Sequence, residues 1–254
     1  MRALVINLAQ ESQRLGFQEA QARALGLAFE RLPAVTVAQV QPPPGNPHWS
    51  RWQRPLRAVE MATLLSHSRA WQRVAEAGSP MLILEDDAWL MPGAAKLLHR
   101  AAALDGIDHL SLETRGRRKI LGPPHPAEPA LRRLWLDRSG AAAYLLWPEG
   151  ARKLLARANA VPALADAVPV ECPGLRRWQA APALAIQIDM AAHYGLEPPI
   201  AVQSAISTQP RPEKGGLRYR LRRILAQARM AFAYLRPCAE RLELRPATEK
   251  DPKP

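Results

Sequence analysis

Three consecutive carboxylates, Glu85, Asp86 and Asp87, follow directly on the apolar run Met81-Leu82-Ile83-Leu84. The run reads as a short buried strand. Like charges this close repel, and each loses hydration beside a core, so the cluster asks for a positive partner. A hard divalent cation, Mg²⁺ or Mn²⁺, meets that need, because it prefers carboxylate oxygens and keeps positions open for phosphate. In an extended backbone Glu85 and Asp87 project to one side and Asp86 to the other, so at most two of the three share an ion directly. Taken alone, the acids fit a solvated turn at the end of a strand equally well.

The surrounding elements must position this cluster. Residues 3–8 form an expected first strand, and a helix is expected from Ser12, with Leu15, Ala22, Leu25 and Ala28 as its apolar stripe, through residues 27–29. Residues 32–40 read as a second strand, closed by the loop Pro42-Pro43-Pro44-Gly45. Residues 48–55 are aromatic and basic without periodicity and read as a surface loop. A helix over 56–77, ended by Gly78-Ser79-Pro80, leads into the acidic strand. This βα alternation predicts an α/β domain with a mostly parallel, helix-covered sheet, whose ligands bind beyond the carboxyl ends of the strands. Residues 85–87 lie at such an end. Further along, the pattern predicts a helix over 93–104, a strand over 107–112, a basic turn at 115–119, strands over 131–136 and 140–147, and a helix over 148–159 opening on Pro148. Residues 162–182 are broken by prolines. Residues 183–194 and 199–204 close the expected core.

A chain of 254 residues with 48% hydrophobic content can bury one sizeable α/β core, and 25 prolines imply many loop boundaries. The formal charge of +12 points to a polyanionic partner: nucleic acid, an anionic membrane or a phosphorylated substrate. Cys172 and Cys238 stand far apart with no histidine at metal-ligand spacing, so neither a disulfide framework nor a zinc site is indicated. Residues 1–8 are too short an apolar run for a signal peptide, and no segment is long enough to cross a bilayer. The expectation is a cytoplasmic protein.

Several blocks, in order, resemble glycosyltransferase family 25, the bacterial lipooligosaccharide galactosyltransferase type. They are Val5-Ile6-Asn7-Leu8 with Arg14; Glu60 through Ser66-His67 with Trp71; Ile83-Leu84-Glu85-Asp86-Asp87; Gly140-Ala141-Ala142-Ala143-Tyr144; and Pro199-Ile200-Ala201-Val202-Gln203. The resemblance implies a GT-A-like single Rossmann-type domain, an inverting transfer of a hexose, most often galactose from UDP-galactose, and a lipopolysaccharide acceptor. It implies Mn²⁺ or Mg²⁺ as cofactor, with Asp87 and Glu85 as metal contacts. Asn7, Arg14, Ser66, His67, Glu85 and Asp86 are its donor-binding residues. For the catalytic base it offers Asp189, preferred narrowly, and Glu171. The chain departs from the family at Ala9, where an acid is usual, and at Val59, Ala62 and Thr63.

After the expected catalytic domain, residues 1–210, comes a segment over 211–254. Leu217, Leu221, Ile224, Leu225, Ala228, Phe232 and Leu235 fall on one helical face, with Arg218, Arg222, Arg223 and Arg229 largely elsewhere. A basic amphipathic helix of this kind binds the surface of an anionic membrane, here the inner membrane, or else packs on the core. From Arg245 the tail reads as disordered. The expected partners are therefore a nucleotide-sugar donor, a glycan or glycolipid acceptor and the membrane surface. Two other function classes remain: a weak or inactive relative acting as an envelope-assembly scaffold, suggested by Ala9, and a nucleic-acid-binding protein, suggested by Trp49, Arg51, Trp52 and Arg54. The acidic cluster opposes the last, since it repels phosphate unless a metal intervenes.

Overall fold

The apolar run Ala3-Leu4-Val5-Ile6 is buried along its whole length because its strand is covered on both faces. In a computed structural model that describes residues 1–138, 140–201 and 216–248, this strand is β1 (Arg2–Asn7). It is followed by α1 (Ser12–Ala24), β2 (Ala28–Pro33), α2 (Ala58–Ala77), β3 (Met81–Glu85), β4 (Ala88–Leu90) and α3 (Ala94–Ala102). The second half supplies β5 (His109–Ser111), β6 (Lys119–His125), β7 (Glu128–Leu136), β8 (Ala143–Leu146), α4 (Pro148–Ala160), α5 (Ala167–Glu171), β9 (Arg177–Ala180) and β10 (Ala185–Gln187). The C-terminal stretch adds α6 (Leu217–Ala231) and β11 (Glu240–Leu242).

Nine strands form one sheet in the order β11-β6-β7-β9-β5-β8-β3-β1-β2. β1 pairs parallel with β2 and β3, and β9 pairs parallel with β5. β8 runs antiparallel between β3 and β5, and β7, β6 and β11 reverse in turn beyond β9. Six strands thus share one sense, and β8, β7 and β11 oppose it. Alternate side chains of β1 and β3 enter opposite layers. Ala3, Val5, Leu82 and Leu84 pack with α1 and α3, whereas Leu4, Ile83 and Tyr144 pack with Trp71 and Val74 of α2 and Leu154 of α4.

Several local expectations need correction. The first helix stops at Ala24, because Gly26 adopts φ +65°, a left-handed turn that frees the chain to extend; Ala28 and Phe29 therefore belong to β2, not to the helix. The second strand comes earlier than expected, and residues 37–39 form a short 3₁₀ turn. Residues 48–55 are no mere surface loop: Trp49 and Trp52 are only 3% and 5% exposed and sit in the α2–α4 layer. That removes them as stacking faces for nucleic acid. Lys119, read as part of a basic turn, is buried at the start of β6, where Asp137, the Glu113 carbonyl and Gln179 take its three protons. The strand expected over 131–136 is the greater part of β7, but its hairpin partner β6 escaped notice because Pro123 and Pro124 disguise it, and the irregular register lets the sheet absorb them.

The segment expected as a disordered tail begins ordered. Ala183 donates to the Arg245 carbonyl and accepts from Ala247, which is buried; residues 249–254 lie outside the described residues, as do residues 202–204 of the expected closing strand. The C-terminal helix forms as expected but docks through Tyr219, which is buried, and Arg222, which donates to the Ser50 and Trp52 carbonyls. Its apolar stripe faces outward instead: Leu217 is 80% exposed, with Leu221, Ile224, Phe232 and Leu235 also exposed.

Candidate active site

β3 carries Glu85 to the carboxyl end of the sheet, next to the end of β1, and the chain turns there through Asp86 and Asp87 into β4. Two glutamines of α1 clamp that turn. Gln18, buried, donates to the Asp86 and Ala88 carbonyls at 3.2 and 2.6 Å, and the Gln21 side chain accepts from the Leu90 amide at 2.7 Å. β10 pairs antiparallel with β4 in a register that sets Gln187 opposite Ala88. The turn is thus held from both sides.

The acids divide as alternation predicts, although the strand itself ends at Glu85. Asp86 faces β1 and α1, accepting from Asn7 Nδ2 at 2.9 Å and from Arg14 at 3.2 Å. Asn7 is itself fixed, since its Oδ1 accepts from Arg31 at 3.0 Å and its Nδ2 also reaches the Glu11 carbonyl. Burial raises the Asp86 carboxyl, while Asn7 and Arg14 work against that rise. On the other side, Glu85 and Asp87 converge on Gln187 Nε2, which lies 3.3 Å from Glu85 Oε2 and from both Asp87 oxygens.

A buried chain of hydrogen bonds orients Glu85. Trp71 Nε1 can only donate, and it donates to the Tyr144 hydroxyl at 2.8 Å. Burial drives the Tyr144 hydroxyl above its ordinary range, so it keeps its proton and passes it toward His67 Nδ1 at 2.9 Å. The imidazole then carries its own proton on Nε2, which faces Glu85 Oε1 at 3.1 Å. Glu85 is therefore anchored at both oxygens.

Asp87 has only the shared Gln187 amide to offset its charge. Burial first, and the Glu85 charge second, push its carboxyl up to about 7. Two half-buried carboxylates sharing one amide donor suit a hard divalent ion, which would neutralise them. Among the described residues no group of three His, Cys, Asp or Glu assembles as a metal cage, so Glu85 and Asp87 would leave the other positions to phosphate and water, the habit of Mg²⁺.

The remaining expected site residues separate clearly. Ser66 stays structural: its hydroxyl donates to the Ala62 carbonyl and accepts from the Val35 amide, pinning α2 to the strand exit, and it makes no hydrogen bond with the acids. Asp189 sits on the 3₁₀ turn directly after Gln187, paired with Arg115 at 2.9 Å. Glu171 ends α5 away from the cluster, bound by Trp52 at 2.9 Å, by Gln53 and by Arg157. Sequence reasoning missed Gln18, Gln21 and Gln187, whose roles depend on register and leave no local signal. It also missed Asp166, whose carboxyl is raised to about 6 by burial and then by the Glu85 charge.

The sequence profile of glycosyltransferase family 25 (LPS biosynthesis protein) matches residues 1–171. No curated protein matches the chain. Among solved structures, a glycosyltransferase involved in the glycosylation of the major capsid of PBCV-1 aligns at 12% identity over 74% of this chain and 92% of that one, with a TM-score of 0.41. A mutant of Drosophila β-1,4-galactosyltransferase 7, in complex with manganese, UDP-Gal and xylobiose, aligns at 13% identity over 85% and 82% of the two chains, also at 0.41. Scores this low carry no weight beside the profile match, which spans β1, α1, α2, the acidic turn and Tyr144. The chain belongs to glycosyltransferase family 25.

Proposed function

We propose that the chain is an inverting, metal-dependent hexosyltransferase that takes galactose from UDP-galactose to a lipopolysaccharide or related surface glycan, working at the cytoplasmic face of the inner membrane. The observation that carries this reading is the Asp87 carboxylate, offset by the Gln187 amide alone, beside an anchored Glu85 at the carboxyl end of β3. Such an arrangement gains most from a cation that also binds a diphosphate. Asp87 and Glu85 would hold Mn²⁺ or Mg²⁺, which supplies charge stabilisation to the leaving nucleoside diphosphate. Asn7 and Arg14 fix Asp86 toward the end of β1, where a ribose hydroxyl can accept and donate. His67 orients Glu85.

Inversion needs a carboxylate base beside the acceptor hydroxyl. Asp189 fits that role better than Glu171, because it lies on the turn after Gln187, which touches both metal-side acids, and its Arg115 partner holds it in place. Glu171 has both oxygens engaged in a different cavity. The outward apolar stripe of α6 supports attachment to a membrane surface.

A thermal-shift panel of nucleotide sugars with and without Mn²⁺, on the native protein and on Asp87→Asn, tests the reading. The expected result is stabilisation by UDP-galactose only with Mn²⁺, abolished by the substitution. Equal stabilisation of the two proteins would remove Asp87 from the metal site.

A further inference from the structure

A cavity of about 860 Å³ lies between α6, α5 and the strands β7 and β9, and shares no lining residue with the acidic site. Eight arginines line it against a single acid, Glu171. Arg157 already takes Glu171, and Arg176 takes Asp108. Among the described residues Arg51, Arg133, Arg222, Arg229 and Arg236 form no ion pair, and Arg133 Nε is buried without a hydrogen-bond partner. Positive charge gathered this densely repels itself unless an anion joins it.

We propose that this cavity binds the phosphate-bearing headgroup of a membrane lipid. Guanidinium forks match phosphate oxygens two at a time. Trp135 stacks under Arg133 at 5.0 Å and Arg236 at 5.6 Å, which holds both forks in place. The volume suits a phosphorylated sugar or similar group. A lipid is favoured over a nucleic acid by the rim: Leu225 and Phe232 line the cavity yet remain 53% and 63% exposed, continuous with the outward stripe of Leu221 and Ile224. Headgroup and acyl chains would meet the inner and outer sides of one helix. This deepens the membrane contact proposed above and does not need the transfer step; vesicle binding and UDP-galactose binding are read separately, so either can fail alone.

The test is flotation of the full chain with phosphatidylcholine vesicles, with and without phosphatidic acid, alongside calorimetry with soluble glucose 1,6-bisphosphate. Binding is expected only when phosphatidic acid is present. The pair Arg229→Gln/Arg236→Gln, on the cavity, should weaken vesicle binding at least about tenfold more than Arg220→Gln/Arg223→Gln, an equal change of charge on exposed residues outside it, since general attraction affects both pairs alike. Leu221→Ser/Ile224→Ser should release the vesicles while retaining the bisphosphate. Should the double cavity variant lose its native thermal midpoint, Arg229→Gln alone carries the comparison. Equal losses in the two arginine pairs overturn the site in favour of diffuse charge. Capture of a single-stranded oligonucleotide through Arg229 and Arg236, with vesicles unbound, overturns it in favour of nucleic acid.

Discussion

The Asp87→Asn substitution has a consequence that does not depend on activity. In the folded protein without metal, burial and the Glu85 charge raise the Asp87 carboxyl from 3.8 to about 7, whereas the unfolded chain titrates it near the ordinary value. Between about pH 4 and 7 the folded state holds a proton that the unfolded state has released, so stability falls as pH rises through that window. At about 1.4 kcal/mol per pH unit the shift sets an upper bound of about 4 kcal/mol, and partial exposure of the side chain reduces this to about 1–2 kcal/mol. Asparagine keeps the shape and cannot ionise. In chelator-treated protein at about pH 8, Asp87→Asn should therefore melt about 2–8 °C above the native chain, and the difference should vanish near pH 4. Saturating Mn²⁺ should reverse the order, adding about 2–3 kcal/mol to the native protein alone at roughly a hundred times its dissociation constant. Differential scanning calorimetry across pH reads all three conditions. A variant less stable than the native chain at pH 8 in chelator would refute the claim that the Asp87 charge exceeds what Gln187 offsets.

Other substitutions probe the supports of the site. Tyr144→Phe strands the Trp71 N–H and His67 Nδ1 in a buried layer; it should cost about 1–3 kcal/mol in urea unfolding and weaken nucleotide-sugar binding by freeing Glu85. Glu113 is buried, with Oε2 accepting from the Ala142 amide and Oε1 unpaired among the described residues, and burial pushes its carboxyl up to about 8. Glu113→Gln should be nearly silent below about pH 4 and increasingly more stable than the native protein as pH rises to 8, because over that range the folded native chain holds a Glu113 proton that its unfolded state has released, and glutamine has no such penalty. Gly150 lies in α4 with a hypothetical Cβ only 2.2 Å from the Asp108 carbonyl oxygen, so Gly150→Ala should lower unfolding free energy by at least about 2 kcal/mol. Asp189→Asn should reduce transfer by about 10²–10⁴-fold with little change in donor binding, whereas Glu171→Gln should leave turnover within a few-fold; release of UDP with acceptor present measures both.

The strands β1 and β3 and the long helices α2 and α4 were legible because each carries an unbroken apolar run or a helical stripe with a clear stop, such as Gly78 after α2. The Ser12–Pro33 region misled for a local reason. A single glycine in the left-handed region divides one apolar periodicity into a helix and a strand, and periodicity alone cannot place that break. Trp49 and Trp52 misled for the opposite reason: without periodicity they read as surface, yet irregular chain that packs over a helix layer buries aromatic rings as well as a helix does. Ser66 and His67 are neighbours in sequence, but their side chains leave α2 in different directions, so one pins a strand exit and the other reaches the acids.

The sequence by itself determined the α/β class, the acidic turn at a strand's carboxyl end and the opposed directions of Asp86 and its neighbours, because these follow from residue type and short-range geometry. Tertiary structure decided which acid is neutralised and which is not. Asn7, Arg14, His67 and Gln187 come from β1, α1, α2 and β10, and only the pairing of strands far apart in the chain brings them to one turn. The same holds for the arginine cavity, since the charge of +12 was visible in the composition, but its concentration against a single acid arises from the packing of α6 across β7 and β9.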